Sequence, residues 1–498
     1  MRRHLFAALF VATLVLAASA SGSTGFTTQV SPSSQTNATE PYIAIDRSDG
    51  TVWVAWQASG SHVARSDDGG RSFTKVFDEN DIGDVDIAVG GPVNCTADLA
   101  HVPPIPCTPG THRVYLTSLE RTPLILQTHL AYSDDRGANW TVNDVAAVNP
   151  QLIDRPWLAV DPSRVSATSD DVYVAYHDFT DSQIYVATSH NGGDIFGPSV
   201  PASAGVNASI SPPTILPPLV PPLFDSFCNT VPSGIEVDPE THQVYVQWLT
   251  ADPVANTTEG CNVTMIQNFH KVWIARSDDR GTTWTGYPVY NGAMTENASD
   301  IFAALAVDDS GTAGVSGNVY SVFADNKLAP DHFDIWFTHS SNQGATWSPL
   351  VKVNSDKGTH FFPWIAAGTT GRVDFIWLNS PDYTPTDAEE SPWYVTFAQT
   401  TNATSATPKF QQTSASSNVM HVGGICVNGI FCTLNGGNRD LADSISIAID
   451  RGGSAGLAWT DQGRILHGPR HITYGCNTSQ QSAIAGANQG LSCKGPAK

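Results

Sequence analysis

The chain has 498 residues, 47 acidic against 25 basic side chains and a formal net charge of −22. A surface so negative repels nucleic acid and anionic membranes, and excludes both as partners. No segment beyond the N-terminal leader described below reaches the roughly eighteen consecutive apolar residues of a membrane-spanning helix, so no membrane insertion is expected. Calcium, or neutral and cationic ligands, are compatible with such a charge.

Residues 1–20 read as an export leader. Arg2 and Arg3 precede an apolar run from Leu5 to Leu16, and Ala18, Ser19 and Ala20 form a small-residue cleavage site. Residues 21–498 are expected to be one secreted domain. Cysteine usage agrees with export. The eight cysteines fall into the local pairs Cys95/Cys107, Cys228/Cys261, Cys426/Cys432 and Cys476/Cys493, and an even count in an exported chain reads as disulfides rather than metal ligands. Nine Asn-x-Ser/Thr sequons, among them Asn37 and Asn402, are surface signals only if the source glycosylates.

The rest of the chain repeats itself. A phrase of the form apolar–Ala–Val/Ile–Asp, a turn and an alternating strand occurs seven times, at 42–56, 86–116, 157–176, 234–248, 304–323, 364–377 and 446–459. In five units an octapeptide follows: SDDGGRSF at 66–73, SDDRGANW at 133–140, SHNGGDIF at 189–196, SDDRGTTW at 277–284 and SSNQGATW at 340–347. Its Asp or Asn is placed to bond the amides of its own turn. Its Gly supplies a left-handed conformation, and its closing Trp or Phe is large enough to wedge between sheets. Period-two alternation without a helical period predicts four-stranded antiparallel meanders. Seven of them arranged radially close into an all-β propeller with no long free edge. Residues 26–30 resemble the segments after the boxes and are expected to supply the outermost strand of the last blade. Insertions interrupt the period at 91–111 and at the proline-rich 199–232, and residues 477–498 form a tail.

The octapeptides resemble the Asp-box (BNR) repeats of the sialidase superfamily, and almost the whole mature chain is similar to secreted bacterial sialidase-like proteins. The resemblance implies a β-propeller that hydrolyses glycans, removing terminal sialic acid with three arginines, a Tyr/Glu nucleophile pair and an acid/base Asp. This chain departs from that pattern. Glu40, Pro41 and Tyr42 stand where the family has Arg-Ile-Pro. Arg155 is the one well-placed arginine, with Arg439 and Arg113 as weaker candidates. No Tyr/Glu pair is assignable, and seven units are counted where sialidases have six, which leaves six as the alternative blade number. Bidentate recognition of a carboxylate is what arginine is suited for, so its shortage argues against sialic acid.

Antiparallel pairing sorts the chain into two faces. Box turns lie on one; the starts of innermost strands and the ends of second strands lie on the other. Around that second mouth stand Glu40, Asp84, Asp86, Asp154, Arg155, Asp300, His360 and Asp443, then Gln57, Glu120, His177, Asp178, Asp325, Asn379 and Asp461. Paired carboxylates divide acid and base roles in glycoside hydrolysis, and carboxylate oxygens also suit calcium. The candidate catalytic group is Asp154, Arg155, His177 and Asp178. The candidate ligand-binding set is Glu40, Asp86, Glu120, Asp300, Asp325, His360 and Asp443. Each has a structural alternative: turn caps for the aspartates, an internal ion pair for Arg155, a structural dyad for His177 and Asp178. The expected function is a secreted, monomeric propeller hydrolysing extracellular glycans. The alternatives are a non-catalytic glycan- or protein-binding propeller, stabilised by calcium, and a lyase or other hydrolase on the same scaffold.

Overall fold

The computed structural model describes residues 26–121, 126–147, 153–178, 183–204, 229–251, 269–298, 302–383, 388–427, 432, 437–450 and 452–477. Seven antiparallel sheets run from an innermost to an outermost strand, in sequence order in all but the last, and the sixth carries a short fifth strand; successive innermost strands pack against one another around a closed ring. The innermost strands of blades 1 to 7 are Thr39–Ile45, Gly83–Pro92, Ile153–Asp161, Asn229–Val237, Ala304–Val307, Thr359–Ala367 and Ser446–Ile449. The ring closes as expected. Phe26–Gln29 pairs antiparallel with His471–Asn477 and becomes the fourth strand of blade 7.

The box turns explain why each blade folds back on itself. In all five, the serine hydroxyl accepts from the glycine amide, as in Gly70 to Ser66 at 2.8 Å and Gly281 to Ser277 at 2.8 Å. The same hydroxyl donates to the Asp or Asn, whose oxygen then accepts from the amide of the seventh residue, at 2.9 Å for Ser72 and 2.8 Å for Thr283. A buried serine paired with a more exposed Asp or Asn thus satisfies groups that the turn would otherwise orphan. The closing aromatic reaches the neighbouring blade: Trp140 donates to the Val76 carbonyl at 3.0 Å and packs 4.8 Å from Phe77. A sixth, disguised turn stands in blade 6. Thr400 donates to Asn402 at 2.9 Å, and Asn402 accepts from the Lys409 amide seven residues on at 3.0 Å, a looser version of the box wiring without the Gly-x-x-Trp letters.

Between blades lies the core. Trp56, Trp248, Trp377 and Trp459, near the ends of second strands, are fully buried, as their spacing predicts. The 91–111 insertion carries a short helix, Cys95–Asp98, and the Cys95–Cys107 disulfide. Cys426 is bonded to Cys432. Cys476 is also disulfide-bonded, but Cys493, Cys228 and Cys261 lie outside the described residues, as do 205–228 of the proline-rich insertion. No helix among the described residues is long and apolar enough to cross a membrane.

Candidate functional site

Four innermost strands break register at the same point, just after they enter the sheet: between Thr39 and Tyr42, Gly83 and Asp86, Asp154 and Trp157, and Phe361 and Trp364. Each bulge holds one non-glycine residue in the left-handed region: Glu40 at φ 52°, Asp84 at 52°, Arg155 at 51° and Phe362 at 53°. Such a conformation costs about 1–2 kcal/mol per residue. Bulges of this kind re-aim a side chain. Three of the four re-aim a charged one, and these three meet at the mouth although they come from three blades.

Arg155 is the hub. Its Nη1 lies 2.8 Å from Glu40 Oε2 and 3.6 Å from Asp84 Oδ1, and its Nη2 donates to the Tyr42 hydroxyl. The guanidinium also stands 4.8 Å over the Tyr42 ring and 4.6 Å over Trp157, a cation–π arrangement strengthened by desolvation. Glu40 and Arg155 are only 1% and 3% exposed, so the pair forms a buried floor. The other Glu40 oxygen accepts from the Asp443 amide at 3.1 Å, and Asp443 is held by both terminal nitrogens of Arg439, one at 2.7 Å. Above this floor Asp84, Asp154, Asp443 and Arg439 remain partly open.

Below it, Tyr42, Trp157 and Trp364 close the ring axis. Trp157 stacks on Trp364 at 5.0 Å, and Tyr42 meets both edge-on at 5.2 and 5.9 Å. Beneath this aromatic layer the seven innermost strands enclose a cavity of about 350 Å³ that includes Asp86, Glu236 and Arg47 in its lining.

The electrostatics follow from burial among like charges. Asp154 is hydrogen-bonded to Asp84, and its carboxyl is pushed well above the usual range by burial and then by the Asp84 charge. Two carboxyls in contact cannot both ionise easily, and the Asp154 carboxyl is the one whose pKa is driven up. Burial also pushes Glu40 up, against the pull of Arg155. The Tyr42 hydroxyl is likewise raised by burial, which keeps it neutral.

The remaining sequence-flagged residues are placed elsewhere. His177 lies opposite Asp154 in the strand ladder but is fully buried, and burial lowers its pKa to about 3. Asp178, its neighbour, faces Ile153 in the same ladder and is also buried. Asp86 sits two residues deeper than Asp84, accepting from the Ile87 and Leu158 amides at 2.8 Å each, and is pushed up to about 7 by burial. Asp325 is buried in blade 5 and accepts from the Lys327 amide at 2.7 Å. His360 bonds the Phe333 carbonyl at 2.9 Å and Asp356 at 3.0 Å. Glu120 stands 3.9 Å from His129 at the seam with blade 1. Asp300 lies outside the described residues. Arg113 begins its strand rather than ending one, so it falls on the box face, bonded twice to Asp134 at 2.6 Å.

Sequence reasoning missed Tyr42 and the aromatic layer as parts of the site. A signal was present: Tyr42, Trp157 and Trp364 are the first letters of their repeated phrases, where other blades have Gly234, Ala304 and Ser446.

No family model and no curated protein matches the chain. Solved structures similar in fold include a GH93 α-L-arabinofuranosidase of Fusarium graminearum, 10% identical over 75% of this chain and 97% of that one, TM-score 0.42. The phage phi92 endosialidase is 9% identical over 91% and 69% of the two chains, TM-score 0.46. A PL25 ulvan lyase is 9% identical over 91% and 94%, TM-score 0.44. The chain's own strand order and box turns establish a seven-bladed propeller of antiparallel meanders with Asp-box turns.

Proposed function

We propose that this protein is exported and cleaves a glycosidic bond in extracellular glycans at the mouth opposite the Asp boxes. The observation that carries the reading is the Asp84–Asp154 carboxyl pair, whose contact and desolvation push the Asp154 carboxyl well above the usual range. A carboxyl held neutral at a partly open mouth is what general-acid catalysis on a leaving-group oxygen requires. Asp154 is the proton donor and Asp84 the partner that sets its pKa. Asp443, oriented by Arg439, is the second carboxylate, serving as base or as stabiliser of the cationic transition state. Arg155, Glu40 and Tyr42 form the floor that holds these groups in place.

The substrate is a neutral glycan or glycoprotein chain rather than a sialoside. Both mouth arginines already hold carboxylates of the protein, and recognition of a sialate would have to displace them. Sugar release from neutral, uronic-acid and sialylated glycans tests this, with Asp154→Asn as the control. Release from neutral glycans, lost in that variant, is the expected result. Retention of glycan without any release, unchanged by Asp154→Asn, would make the protein a binding propeller instead. N-terminal sequencing of the exported protein is expected to begin after Ala20.

A further inference from the structure

A second polar cluster lies at the seam between blades 1 and 2, outside the site described above. Glu79 ends the outermost strand of blade 1, Thr74–Glu79, and Asp81 follows in the connection to blade 2. His129 comes from the third strand of blade 2, Leu126–Ser133. One side-chain atom from each lies within 4.8 Å of the other two. His129 Nε2 is 3.3 Å from Glu79 Oε2 and 3.7 Å from Asp81 Oδ2, and Glu120 Oε2 approaches Nδ1 at 3.9 Å.

An ordinary ion pair does not account for this arrangement. His129 is 1% exposed, yet its Nδ1 makes no hydrogen bond, and the buried Glu79 Oε2 has no donor either. The 3.3 Å approach of Glu79 to the ring lacks hydrogen-bond alignment. Three carboxylates face one imidazole, and no lysine or arginine among the described residues bonds to any of them. Asp81, with its side chain 2% exposed, is already fixed: Ser61 donates to Oδ1 at 2.8 Å and Ser118 to Oδ2. Ser118 also touches His129 Nε2 at 2.8 Å. Ligands about 2.0–2.1 Å from a tetrahedral ion lie about 3.3 Å from each other, close to the spacing here.

We propose that Glu79, Asp81 and His129 bind one divalent cation of the zinc–manganese class, with Ser61 and Ser118 orienting Asp81. An imidazole nitrogen with two carboxylates suits such ions, whereas calcium takes six to eight oxygens. The ion ties the outer edge of blade 1 to blade 2. It thereby holds the connection that runs from Asp81 to the mouth carboxylate Asp84, whose amide is fixed by Gln57 at 3.3 Å. The proposal does not depend on the glycan reading.

The full chain, stripped by chelation and dialysed, is titrated with Zn²⁺, Mn²⁺, Co²⁺ and Ca²⁺ by calorimetry and metal analysis. The expected result is one equivalent of Zn²⁺ with a raised melting temperature, and visible Co²⁺ bands that Zn²⁺ displaces. His129→Gln and Asp81→Asn should abolish uptake at the same concentrations. Glu79 is 34% exposed and its replacement should not disturb folding, so Glu79→Gln should fold and bind at least about tenfold more weakly. No uptake by the wild-type chain, uptake unchanged in folded Glu79→Gln, or preference for Ca²⁺ would each overturn the proposal.

Discussion

The two faces of the ring use the same strands in opposite ways. On the box face, five turns repeat one wiring, in which serine, Asp or Asn and glycine satisfy each other within eight residues. Two boxes add an arginine that reaches the adjacent blade, as Arg136 does to Asp49 at 2.9 Å and Arg280 does to Asp171. On the mouth face, equivalent bulge positions hold Glu40, Asp84, Arg155 and Phe362, all in the left-handed region. There each blade contributes something different, and the polar groups find partners on other blades 115 and 403 residues away in sequence. Repetition therefore marks scaffold, because identical local wiring leaves no atom free for a ligand. Variation at a repeated, strained position marks the site, because strain is retained where the surroundings over-determine it.

The contrast is broken most severely at Asp154. Asp154→Asn keeps the shape of the pair but removes the transferable proton, so glycan turnover should fall about 10²–10⁴-fold with the fold intact. If the proposal holds, turnover by the wild-type protein should fall as pH rises through the elevated Asp154 pKa, and kinetic pH profiles check this. Preserved turnover would move the acid elsewhere on the mouth.

Next comes the paired replacement of one arginine on each face. Arg155→Met leaves Glu40 buried without its partner and should cost about 3–5 kcal/mol in chemical unfolding. Arg276→Met removes an ion pair to Asp278, which is 55% exposed, and a bond to the Gln343 carbonyl at 2.9 Å, and should cost about 1–2 kcal/mol. Equal costs would erase the distinction between the faces.

Stability against pH sharpens the comparison further. Burial, then the Glu296 charge, pushes Asp325 up to about 7. Between about pH 4 and 7 the folded chain holds a proton there that the unfolded chain has lost, so stability falls as pH rises through that window. His177 runs the other way: burial holds it down to about 3, so stability is lost as pH drops below its ordinary 6.5. Asp325→Asn should remove the alkaline loss, on the order of 2 kcal/mol, in melts compared at pH 5 and pH 8. A modest effect is expected at a box turn. Asp68→Ala deletes bonds to the Arg71 and Ser72 amides, both at 2.9 Å, and should cost about 1–2 kcal/mol, leaving turnover unchanged.

Much of the site was legible because antiparallel pairing alone assigns strand ends to faces. That placed Glu40, Asp84, Asp154, Arg155 and Asp443 around one mouth, and they do converge. The same rule could not separate a residue at the rim from one facing a neighbouring blade, which is why His360, Asp325 and Glu120 appear in the ring of candidates but bond in side networks. Nor could it show that Asp86 sits one step deeper than Asp84. That depends on the bulge, and a bulge leaves no mark in alternating letters. The box-like turn of blade 6 was hidden for a related reason: Thr400 and Asn402 make part of its hydrogen-bond set without its usual glycine and aromatic.

What the chain determines by itself is everything carried by local periodicity: the alternating strands, the self-satisfied box turns, the count of seven and the sorting of residues to two faces. These rest on interactions within a dozen residues, so their physics is written in neighbouring letters. Ring closure decides the rest. Only when blades 1, 2, 3 and 7 are brought side by side does Arg155 find Glu40, 115 positions away. The same closure sets Asp154 against Asp84 and seals the axis with Tyr42, Trp157 and Trp364. The raised pKa of Asp154 follows from desolvation and from a charge on another blade, and neither exists until the ring has closed.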